Sequence, residues 1–152
     1  MPAPREVTPR CTVLLAEADA SLRRWLGVLL REAGYHVLEA QATPDALRHL
    51  RGGAPIHIVI TDARLGLTAV REIAQATSTL RPSVPVLQLI GSKAERVASY
   101  RRNHVVLWKP FTISELLESI QGLAGPEAVG AVGPTTEVTA GSYTFYLRSP
   151  PT

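Results

Sequence analysis

The sequence predicts a single α/β domain: a doubly wound parallel sheet with right-handed crossovers. Three observations lead there. Five short apolar runs recur between residues 11 and 108. Helix-spaced segments separate and follow them. Several runs are nearly continuous in Val, Ile and Leu, as expected of parallel strands covered on both faces. Strand and helix alternating five times fit that architecture and few others. At 152 residues the chain has room for one such core and not comfortably for two.

Residues 1–10 carry three prolines and no periodicity, so they read as a loose arm. The domain is expected to span residues 11–124, beginning with the strand "CTVLLA" (11–16). In the first helix Leu22, Trp25, Leu26, Leu29 and Leu30 make one apolar face, and Gly34 ends it. The strand "YHVLEA" (35–40) follows. Thr43 is suited to cap the second helix, Pro44 to its first position, and Gly52 and Gly53 to its close. After the strand "IHIVIT" (56–61), a third helix runs from about Thr68 to Leu80, with Val70, Ile73, Ala74 and Leu80 inward, and stops before Pro82. The strand "PVLQLI" (85–90) leads to a short basic fourth helix, "SKAERVASYRRN". The strand "HVVLW" (104–108) precedes the fifth helix. That helix opens on a Thr112–Glu115 capping box and turns Leu116, Leu117, Ile120 and Leu123 to one side. Residues 125–152 change character. "GPEAVGAVGPTTEVTAG" reads as a Gly/Pro-rich linker, and "SYTFYLRS" as a short added strand or a loosely attached tail.

Hydrophobic residues make up 45 % of the chain and charged residues 19 %, the proportions of a folded globular domain. The net charge of +3 is small and Arg is spread out, so a solvated surface is favoured over a nucleic-acid surface. Lys93, Arg96, Arg101 and Arg102 make the fourth helix basic without interleaved aromatics. Cys11 is the single cysteine, which fits a reducing cytoplasm and a buried apolar role. No apolar run is long enough to span a membrane, and the N-terminus lacks the apolar centre of a signal peptide. The four histidines have no metal-ligand spacing.

Ligands of open parallel sheets bind beyond the carboxyl ends of the strands. Glu17 and Asp19 follow the first strand, Asp62 ends the third, Ile90-Gly91-Ser92 ends the fourth, and Lys109-Pro110-Phe111 follows the fifth. Three carboxylates and one lysine therefore converge on one edge. Crowded carboxylates suit a hard cation such as Mg²⁺, and a lysine there can neutralise a carboxylate or contact a phosphoryl oxygen.

The stretches "TVLLAEADASLRRWLGVLLREAGYHVLEA", "IVITDARLG" and "VVLWKPFTISELL" together resemble the receiver domain of two-component response regulators over residues 11–124. The resemblance implies a flavodoxin-like five-stranded sheet of order 2-1-3-4-5 in a bacterial, cytoplasmic phosphorelay protein rather than an enzyme. It implies Asp62 as phosphoacceptor and Lys109 as the lysine that contacts the phosphoryl group. It implies Mg²⁺ held by Glu17, Asp62 and the backbone carbonyl of Arg64, with Asp19 a weaker candidate, and a Lys109-Pro110 bond that is often cis. The implied partners are a sensor histidine kinase or another signalling protein. A homodimer would use the fourth helix, fifth strand and fifth helix.

The sequence also departs from the pattern. Ala18 stands where the second acid should touch the metal, so Mg²⁺ is expected to bind weakly. Ile90 replaces the usual hydroxyl and Val106 the usual aromatic of the switch pair. The loop after Asp62 is about one residue short and lacks a proline. Two versions stay open: an acceptor that works with Mg²⁺, and a pseudo-receiver that binds partners without phosphorylation. Either would stand alone or belong to a longer protein, since residues 125–152 are too few and too polar for a helix-turn-helix unit. A Mg²⁺-dependent phosphohydrolase is disfavoured by Arg64, which takes the place of a general acid. A flavodoxin-like cofactor binder is disfavoured by acids where a phosphate loop would lie.

Overall fold

The computed structural model describes residues 11–91, 104–124, 136–140 and 143–147. Five parallel strands, β1 (Thr12–Ala16), β2 (His36–Ala40), β3 (Ile58–Asp62), β4 (Val86–Ile90) and β5 (His104–Trp108), lie in the order β2-β1-β3-β4-β5. This is the doubly wound, flavodoxin-like arrangement expected. The helices are α1 (Ala20–Glu32), α2 (Thr43–Arg51), α3 (Leu67–Leu80) and α4 (Ile113–Ala124). The sequence's fifth helix is thus α4, and the basic segment 92–103 lies outside the described residues, as do residues 1–10 and 125–135.

Alternation along the strands builds two cores. Val13 and Leu15 of β1 and Ile58 and Ile60 of β3 pack with Leu22, Leu26 and Leu30 of α1 and Leu116 and Ile120 of α4. Leu14 and Ala16, with Val59, turn the other way and meet Ala46 and Leu50 of α2 and Ile73 of α3. Every residue of β1, β3 and β4 is buried, which fits their predominantly apolar composition. Cys11 is buried as expected, and burial pushes its thiol up to about 11.

Several sequence expectations are corrected. Thr43 does not cap α2. The cap is Ala42, without a side-chain bond, and Thr43 is already helical. Trp25 and Leu80 are exposed rather than inward, because the buried arc of each helix is narrower than its apolar stripe. The tail is not one strand after a linker. Residues read as linker form β6 (Thr136–Ala140), which pairs antiparallel with β7 (Tyr143–Leu147) through five successive residue pairs. β7 in turn joins the edge of β5 through Trp108 and Tyr146, so the sheet has seven strands in the order β2-β1-β3-β4-β5-β7-β6.

Among the described residues no helix is long and apolar enough to cross a membrane.

Candidate functional site

Parallel register brings the candidate residues together. Ala16 stands beside Thr61, Asp62 beside Leu89, and Ile90 beside Trp108. The next residues after β1 and β5, Glu17 and Lys109, therefore flank the end of β3, where Asp62 sits. Glu17 is tied in by its N–H to the Ala40 carbonyl at 3.0 Å, and Lys109 by its N–H to the Ile90 carbonyl at 2.7 Å. The Lys109-Pro110 bond is cis.

Asp62 is fully buried. One carboxylate oxygen accepts from the Lys109 ammonium, which is itself nearly buried, and the other accepts from the Arg64 N–H at 2.9 Å. A 3₁₀ turn, Ala63–Leu65, leads from Asp62 to α3. Gly66 closes it at a φ of 96°, a conformation that side chains resist.

Glu17 is also fully buried, not a solvated acid. Its Oε1 accepts from the Asp19 N–H at 3.0 Å, and its side chain lies beside the Asp62 carboxyl. Burial and the neighbouring Asp62 carboxyl push its acid up to about 8, against the pull of the Asp19 N–H and the Lys109 charge. Asp19 is exposed and engaged elsewhere: its Oδ1 accepts from the Leu22 N–H at 2.9 Å as the N-cap of α1. That bond holds its carboxyl below the usual range.

Ala18 is exposed and brings no donor. Ile90 is buried at the end of β4, and Val106 lies partly buried in β5 beside Gln88. Neither aliphatic chain can donate a hydrogen bond to a phosphoryl group.

Two buried carboxylates reach the pocket: Glu17, whose acid is pushed up by burial, and Asp62, which is held by an ammonium. One or two carboxylates with waters are what a bound Mg²⁺ ordinarily takes from a protein, and here one of the two is already paired with Lys109.

Sequence reasoning missed Arg23. Its Nη1 donates to the Glu17 carbonyl at 2.8 Å and its Nε approaches Glu39, fixing the peptide that carries the buried acid. The only available signal was its place in the first turn of α1. His57, one of the four histidines without metal-ligand spacing, has a structural place. Its Nδ1 accepts the Thr12 N–H at 2.9 Å, so it completes the start of β1.

Comparison with known proteins agrees with the geometry. The chain is 29 % identical over 112 residues to the response regulator receiver protein CpdR of Brucella abortus, covering 72 % of this chain and 92 % of that protein. It is 28 % identical over 120 residues to a response regulator of Streptococcus pneumoniae, spanning about half (52 %) of that longer protein and 73 % of this chain. A solved response regulator receiver protein from Sinorhizobium medicae superposes with a TM-score of 0.68 at 28 % identity, covering 75 % of this chain and 94 % of the other. A receiver domain from Clostridium thermocellum shares the fold with a TM-score of 0.67 at 21 % identity, over 75 % of this chain and 94 % of its own. No family model matches the chain. In fold and in sequence the chain is thus similar to response regulator receiver proteins.

Proposed function

We propose that this chain is a receiver-type signalling module that acts through protein–protein contact, with Asp62 in the acceptor place but poorly phosphorylated. One observation supports the reading: Asp62, the carboxylate in the acceptor place, is already held by the Lys109 ammonium, next to a strand end where Ala18 stands in place of a second acid. Phosphoryl transfer depends on positioning and charge neutralisation, and a metal normally supplies much of both. Here the Lys109 ammonium supplies the positive charge. Ala18, Ile90 and Val106 remove the direct metal ligand and the switch pair. Mg²⁺, where it binds, binds weakly, with Glu17, Asp62 and the Arg64 carbonyl as its ligands and Asp19 too engaged to help.

The partner is a histidine kinase or another signalling protein of the cytoplasm. A homodimer through β5 and α4, with the basic segment read in the sequence as the fourth helix, is the symmetric form of the same contact. No catalytic turnover is assigned. The division into an arm (1–10), a receiver-like domain (11–124) and a tail (125–152) belongs to the same proposal.

Incubation with a small acyl-phosphate donor, with and without Mg²⁺, followed by intact-mass measurement, tests it. The expected result is slow, substoichiometric labelling that Mg²⁺ hardly changes. Rapid addition of one phosphoryl group, lost in Asp62→Asn, would overturn the poor-acceptor reading.

A further inference from the structure

The edge of β5 carries a feature that the receiver-like core does not require. In a strand, neighbouring residues direct their backbone groups to opposite sides. The Lys109 N–H points to β4, where it meets the Ile90 carbonyl. Trp108 therefore points its N–H and C=O away from β4, and there it pairs with Tyr146 of β7. The same alternation directs Tyr146 toward β5 and its neighbours Phe145 and Leu147 toward β6.

The two seams are unequal. β6 and β7 are joined over five successive pairs, Thr136–Leu147 to Ala140–Tyr143. Among the described residues β7 meets β5 at one pair, Trp108–Tyr146. Among those residues the hairpin is therefore joined more extensively within itself than to β5, while both of its strands also lie near α4. The connection from α4 holds three glycines and two prolines within residues 125–134, a composition suited to a spacer. An uncovered edge strand invites another strand to pair with it.

We propose that the hairpin, residues 136–147, is a detachable cis cover over a strand-accepting edge on β5. The edge takes an extended segment running antiparallel to β5, and the chain's own β7 occupies that place until it is displaced. This inference does not depend on phosphorylation of Asp62.

Hydrogen exchange of the full-length chain, read residue by residue, tests it. In Tyr146→Pro the strand loses the N–H that faces β5 while the β6–β7 bonds remain. The Trp108 amide is then expected to exchange at least about tenfold faster, with β1 and β3 amides unchanged. Val138→Pro, which breaks the hairpin itself, should do the same. A synthetic peptide of residues 136–149 should slow Trp108 exchange again in Tyr146→Pro and have no effect on the native chain. Equal Trp108 exchange in the native and variant chains overturns the proposal. So does a native dimer, seen by light scattering, that Tyr146→Pro dissociates, because the covering hairpin would then come from a second copy.

Discussion

Glu17 shows how far an environment can change a residue. Its acid is raised from 4.5 to about 8, first by burial and then by Asp62 beside it. The sign of the consequence is definite. Between those two values the folded chain holds a proton that the unfolded chain has released. Stability is therefore highest below the unfolded value and falls as pH rises through the folded one, by at most ~1.4 kcal/mol per pH unit. Glu17→Gln keeps the shape and removes the titration, so its urea midpoint should vary less across this window than that of the native chain. Parallel pH profiles would remove Glu17 as the source. The sequence located Glu17 after β1 but left its solvation open. Whether an acid one residue beyond a strand turns inward depends on the register with β3, which is a property of the sheet and not of the local pattern.

Helices and strands were legible where a single period dominated. β5 was read to the residue, and the other parallel strands lie within two residues of their expected bounds. The errors share a physical cause: tertiary neighbours decided them. Thr43 lost the cap because the chain extends at Ala42 and the helix starts one residue earlier than the Thr-Pro signal suggests. β6 was hidden because its Thr-rich segment becomes a strand by pairing with β7, a non-local event. The connection between α2 and β3 was hidden as well. Arg81, just past α3, donates to the carbonyls of Leu50 at 3.2 Å, Gly52 at 2.8 Å and Ala54 at 3.0 Å. It thereby satisfies the end of α2 from another element. Arg81→Ala should lower unfolding free energy by ~1–2 kcal/mol in a denaturant titration, discounted for partial exposure. Arg81→Lys should recover only part, since an ammonium cannot span three acceptors with a planar fork.

The whole molecule is one sheet dividing two cores, and the division has an energetic signature. Ile60 packs on the face shared by α1 and α4, Ile73 on the face shared by α2 and α3, and both are fully buried. Each Ile→Val change should cost ~0.5–1.5 kcal/mol. The double variant should equal the sum within ~0.5 kcal/mol, because the sheet lies between the sites. A larger coupling in urea unfolding would mean that the cores relax together. The five-stranded architecture was legible because both faces left an apolar imprint on each central strand. The site was legible as a set of positions, since a parallel sheet delivers its strand ends to one edge whatever the loops contain. Its ionic state was not, because the burial that pushes the Glu17 acid up is a product of the whole fold.

The pairing of β1 with β3 has one more implication. Ala16 lies against Thr61, and the next step along β3 is Asp62. A slip of one residue would bring Thr61 or Ala63 to the place of the carboxylate and turn the whole strand over. The alternation that sends Ile58 and Ile60 into one core and Val59 into the other therefore works as a vernier. Hydrophobic residues, by refusing the wrong face, set the position of an ionic group to within a single residue.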